Sequence, residues 1–118
     1  MTNAEKPSWG VVVHHPSRRA EVARTYDRLA RRLASERPGY VLWCLDTPMD
    51  SAVAHVAKAP QGGAVSVVPL LLAPGKHFTE DVRRLADALA SARPDLTVHV
   101  RTPLLDDEAF LTAWLARL

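Results

Sequence analysis

Short apolar runs and longer segments with an apolar helical stripe alternate four times along this chain, and few architectures accommodate that rhythm. Residues 9–13 are rich in valine and do not alternate with polar residues, which marks a strand buried on both faces. Residues 40–45 read as a second buried strand, residues 64–72 as a third, the most apolar, and residues 96–101 as a fourth strand. After the first run, Ser17 is placed as the N-cap of a long helix that stops before Pro38 and Gly39. Val22, Tyr26, Leu29, Ala30 and Leu33 form its inner stripe. A short helix is expected over 49–58, with Val53 and Val56 inward. Another is expected over 79–92, with Val82, Leu85, Ala86 and Leu89 inward. A last one over 106–117 carries Phe110, Leu111, Trp114 and Leu115, and its initial acids suit the helix dipole. Strict alternation of this kind predicts an α/β fold: a four-stranded parallel sheet with helices on both faces, in the flavodoxin-like order 2-1-3-4. In such sheets ligands bind at the carboxyl ends of the strands.

The 118 residues suit one domain, here 9–118 behind a flexible N-terminal segment, 1–8. Hydrophobic residues at 47% and charged residues at 24% are those of a globular protein. A single cysteine, Cys44, excludes an internal disulfide framework and any four-cysteine zinc or iron–sulfur site held by one chain. The net charge of +2 is too even to make nucleic acid the main partner. The first residues lack a signal-peptide core, and the longest apolar stretch, 65–73, falls far short of the about 20 residues of a membrane helix. A cytoplasmic protein with no membrane partner is expected.

The expected strand ends gather the chemistry. The first carries His14, His15, Ser17, Arg18 and Arg19; the second Asp46; the third Pro74, Gly75, Lys76 and His77; the fourth Thr102 and Pro103. Imidazoles with a carboxylate suit iron, cobalt, nickel or zinc, and imidazole accepts protons near neutral pH. His14, His15, Asp46 and His77 are therefore the candidate metal ligands. Neighbouring strand residues face opposite ways, so at most one of His14 and His15 faces the crevice. Asp46, ahead of Thr47 and Pro48, also fits a simple turn. His55 and His99 fall mid-helix and mid-strand, as structural or surface residues. Gly62 and Gly63 precede a strand, the wrong order for a phosphate cradle, and Ser17 lacks a nucleophile elbow. Cys44 lies within an apolar strand and reads as core. Arg24, Arg28 and Arg32 form a solvated stripe, with Asp27 and Arg31 as a helical pair, whereas Arg18 and Arg19 lie close enough to the strand end to meet a carboxylate-rich ligand.

Four segments carry a resemblance. Val11, Val12, Val13, His14, His15, Pro16, Ser17 and Arg18 resemble the first strand and HGSR motif of the class II chelatases, the sirohydrochlorin chelatase family of the CbiX/SirB type. Residues 67–81, through Gly75, His77 and Asp81, resemble that family's second motif, a strand followed by GxHxxxD. Leu45 to Pro48 and Thr102 to Leu104 resemble shorter segments in the right order. The resemblance spans nearly the whole chain from Trp9 and implies a chelatase-like half domain. It implies an enzyme, a lyase that inserts cobalt, nickel or iron(II) into sirohydrochlorin or a related tetrapyrrole, on the way to cobalamin or siroheme. The divalent metal is then substrate and no organic cofactor is needed. Short members of the family pair as homodimers.

On that resemblance His15 and His77 fall on the two family histidines, as catalytic residues that ligate metal and accept protons. Asp46 falls where glutamate is common, as a third ligand or base. Arg18, Arg19 or Lys76 suits the carboxylates of a macrocycle, and Leu71, Leu72 and Phe78 its apolar edge. The departures are His14 and Pro16, where the family has small residues, often glycine, together with Asp46 for glutamate and Leu105 for a common glycine. They leave open an alternative: a non-catalytic metal- or tetrapyrrole-binding module, or a repurposed relative in another biosynthetic pathway.

Overall fold

The structure, a computed structural model, describes residues 7–73 and 75–118. The elements run β1 (Trp9–His14), α1 (Ala20–Glu36), β2 (Tyr40–Cys44), α2 (Met49–Val56), β3 (Ala64–Pro69), α3 (Lys76–Ala92), β4 (Thr97–Val100), a 3-10 turn (Leu104–Asp106) and α4 (Glu108–Leu115). The strands form one parallel sheet in the order β2-β1-β3-β4, as the alternation predicts. Val11 of β1 sits between Val41 of β2 and Val67 of β3.

The register sorts side chains onto two unequal faces. Val11, Val13, Trp43, Val65 and Val67 share one face, and α2 and α3 cover it with Ala52, Val56, Phe78, Val82, Leu85, Ala86 and Leu89. Each fully buried leucine, valine or phenylalanine there contributes about 1.5–3 kcal/mol. The opposite face carries Val12, His14, Leu42, Cys44, Ser66 and Val68, with α1 over its β2 side. Neither α1 nor α4 buries a residue, so the core is one-sided. The cover expected on both faces of the sheet is incomplete at β4, an edge strand that is mostly exposed.

Hydrogen bonds tie the amino ends of the strands to α2. The Trp9 indole stacks on His55 and donates to the His55 carbonyl at 3.1 Å, while the His55 ring donates through Nε2 to the Gly39 carbonyl at 2.9 Å. His55 is thus structural. The Tyr40 ring lies across Gly10, where a Cβ would overlap it and come within 2.7 Å of the Ser66 carbonyl oxygen. Arg93 donates to the carbonyls of Val56, Ala57 and Ala59 at the end of α2 and pairs with Asp95, which also accepts from the Gly62 amide. The Arg93 guanidinium, and then Gly62, hold the Asp95 carboxyl well below the usual carboxylate range.

Several boundaries differ from expectation. Ser17 does not cap α1, whose N-cap is Arg19; instead Ser17 Oγ accepts from the Arg19 amide at 3.2 Å, a turn made by a hydroxyl two residues back. β3 stops at Pro69, after which Leu71 and Leu72 accept from the amides of Leu104 and Leu105. α3 starts at Lys76, three residues earlier than its apolar stripe indicates. α4 starts late because residues 104–106 take the 3-10 turn and Asp107 Oδ1 accepts from the Phe110 amide as a true N-cap. On α1 the helical ion pair is Arg32 with Glu36. Of the segment 1–8 expected to be flexible, residues 1–6 lie outside the described residues, as does Pro74; Pro7 accepts from the Tyr40 hydroxyl at 2.7 Å. Among the described residues no helix is long and apolar enough to cross a membrane.

Candidate functional site

β1 and β3 are neighbours, so their carboxyl ends bring His15 and His77 to one edge of the sheet. His15 follows β1 and is exposed. Its ring rests on that of Phe78, with centroids 4.4 Å apart and planes 55° apart. Phe78 itself is 4% exposed and rooted in the core. His77 is the residue before it, exposed in the first turn of α3. Gly75 precedes that helix without a side-chain cap, so the positive end of the α3 dipole faces the same edge. Lys76, the first residue of α3, and Arg18, in the segment between β1 and α1, are exposed as well. Arg19 pairs with Glu21 at 2.9 Å.

His14 points the other way. It is 9% exposed, and its ring packs against that of Tyr26 of α1, with centroids 3.9 Å apart and planes tilted by 36°. It forms part of an open cleft of about 620 Å³ between α1 and β2, together with Tyr26, Cys44, Asp46, Thr47 and Ser51. Cys44 is half-buried, not core, and its thiol donates to Asp46 Oδ1 at 2.8 Å. Burial first, and then Asp46, push that thiol up, so it stays protonated near neutral pH.

The four candidate ligands therefore divide. His15 and His77 share one edge by the α3 face, whereas His14 and Asp46 line the cleft under α1. Among the described residues no group of three or more histidine, cysteine, aspartate or glutamate side chains is placed to hold one metal ion. The alternation of strand side chains, which allows only one of two adjacent histidines into a crevice, is what separates His14 from His15. Phe78, expected at the rim of a macrocycle pocket, is instead the buried platform under His15, while Leu72 is 59% exposed. Tyr26 is the residue that sequence reasoning read only as part of an apolar stripe; its position one helical face away from the strand end was the available signal.

The family model described as CbiX matches residues 10–118. Among solved structures, a cobalamin (vitamin B12) biosynthesis CbiX protein from Marinobacter aquaeolei VT8 is similar, with a TM-score of 0.69 and 21% identity over 95% of this chain and 92% of that one. The protein DR2241 from Deinococcus radiodurans, a multi-domain protein with structural similarity to chelatases, is also similar, with a TM-score of 0.60 and 21% identity. There the match takes in 98% of this chain but 26% of the longer one. Among curated proteins none matches significantly.

Proposed function

This chain belongs to the CbiX family, and we propose that it is a chelatase that inserts divalent cobalt, nickel or iron into sirohydrochlorin or a related tetrapyrrole. The observation that carries this reading is the pair of imidazoles beyond the carboxyl ends of adjacent strands, His15 just after β1 and His77 in the first turn of α3, with His15 held against the buried ring of Phe78. Insertion forms bonds from the metal to four ring nitrogens, and two of those nitrogens lose their protons. His15 and His77 are exposed, so their free nitrogens can replace water on the incoming metal and take up the released protons. Lys76, Arg18 and the open amino end of α3 favour the carboxylates of the macrocycle.

The reaction further calls for two copies of the chain. A flat macrocycle needs a wall on each side, and one copy gathers no three-ligand set among its described residues. The exposed apolar side chains Leu72, Val100, Leu105, Trp114, Leu115 and Leu118 supply a surface for pairing on the β4 and α4 side. Homodimers follow a two-fold axis most often, and each copy then contributes His15 and His77 to a shared cavity.

The test is an anaerobic absorbance time course of sirohydrochlorin with Co²⁺, Ni²⁺ or Fe²⁺. Wild type is expected to accelerate the spectral conversion, and His77→Ala to lose at least about 100-fold of that rate while keeping its fold by circular dichroism. No acceleration with any of the three metals by a folded wild-type protein would move the assignment to a binding module.

A further inference from the structure

His14, the imidazole next to His15 in the chain, is unused by this reaction, yet it is firmly anchored. His14 is the last residue of β1, and its ring Nδ1 lies 2.7 Å from the carbonyl oxygen of His15. A carbonyl only accepts, so Nδ1 carries the proton and donates. The ring is clamped against Tyr26 of α1. The backbone on either side is pinned as well, since the amide of Leu45 donates to the His14 carbonyl at 2.9 Å and that of Leu70 to the Val13 carbonyl at 2.8 Å. Beyond His15 comes Pro16, which has a fixed φ and holds His15 out of the helical region. The His15 peptide is thus gripped by an imidazole before it and a proline ring after it, while its own side chain crosses to the opposite face and settles on Phe78.

We propose that His14 is a positioning residue: clamped by Tyr26, it holds the His15 carbonyl and so keeps the His15 imidazole on its Phe78 platform at the metal-handling edge. This rests on the reading of His15 given above. A histidine on a free loop would sample many orientations, and misplacement by about 1 Å is enough to cost about 100-fold in rate. A strut at position 14 removes that freedom without itself touching the metal or the macrocycle.

The test uses the full chain with ¹³C-labelled histidine and four variants. In wild type the His15 ring, 4.4 Å from that of Phe78, is expected to show ring protons shifted by the Phe78 ring current. His14→Leu removes the donor and is expected to abolish that shift and to lower kcat for Co²⁺ insertion about 10- to 100-fold, with KM for sirohydrochlorin within about twofold. His14→Asn keeps an N–H near the place of Nδ1 and is expected to restore both. Tyr26→Leu loosens the clamp with His14 intact, reads the same two quantities with a smaller loss of each, and decides the matter if His14→Leu does not fold. A His15 shift that survives in His14→Leu, or a kcat that does not fall, overturns the proposal. An inactive wild type, or a fully active His15→Ala, would instead sink the reading of the site; the ring shift alone then decides what His14 holds.

Discussion

Asp95 illustrates how one side chain, through Arg93, can tie the end of α2 to the segments that lead into β3 and β4. It accepts from Arg93 and from the amide of Gly62, while Arg93 reaches three carbonyls at the end of α2. Gly62 is the one described residue with positive φ, at 74°, a conformation natural to glycine. The folded state depresses the Asp95 pKa, with the Arg93 pairing the leading cause. Its contribution is therefore complete above the unfolded carboxylate value near about 4 and fades as the pH falls below it toward the folded value. Asp95→Asn is expected to lower the urea midpoint at pH 7 and to flatten the loss of stability between about pH 4 and 2. Equal pH slopes for wild type and variant would remove this pair from the account. Ser66 is the contrasting case: a fully buried hydroxyl without a hydrogen-bond partner among the described residues, on a face whose cover is incomplete.

At the level of elements, the helices divide by what they bury. α3 buries five side chains, among them Leu85 and Leu89, whereas α1, equally long at 17 residues, buries none. Leu85→Ala is expected to cost about 2–5 kcal/mol in urea denaturation, and Leu29→Ala, on the half-buried stripe of α1, less than about half of that. Comparable losses would mean that α1 carries more of the core than its exposure indicates. The alternation of apolar runs was enough to read the α/β class, the order of elements and the strand order, because these follow from period and connection handedness. The ends were less legible. Ser17 looks like a cap, but its hydroxyl is spent on a turn; Asp107, one of several acids in a row, is the residue that caps. At the site, the placement of His15 and His77 followed from strand ends. The partition of His14 and Asp46 into a separate cleft depended on which face each side chain takes, and the packing of Tyr26 on His14 and of Phe78 on His15 depended on helix placement that periodicity does not fix.

The whole molecule has a finished side and an unfinished one. Trp114 at 48% exposure and Leu115 at 57% stand on a helix that docks against little besides its own lead-in turn. Sedimentation at micromolar concentration is expected to give twice the 13.0 kDa of one chain, and Trp114→Glu with Leu115→Glu to give the monomer with metal insertion lost. A monomeric wild type that retains activity would end the two-copy arrangement. The strand order carries a consequence for synthesis on the ribosome. β1 lies in the middle of the sheet but emerges first, and its pairing with β3 joins Trp9 to Val65. The layer that seals the core, α3, emerges later still. At about 5–20 residues per second, the central strand spends several seconds with one edge open and its apolar face bare. Folding on the ribosome is therefore expected to wait until α3 has emerged.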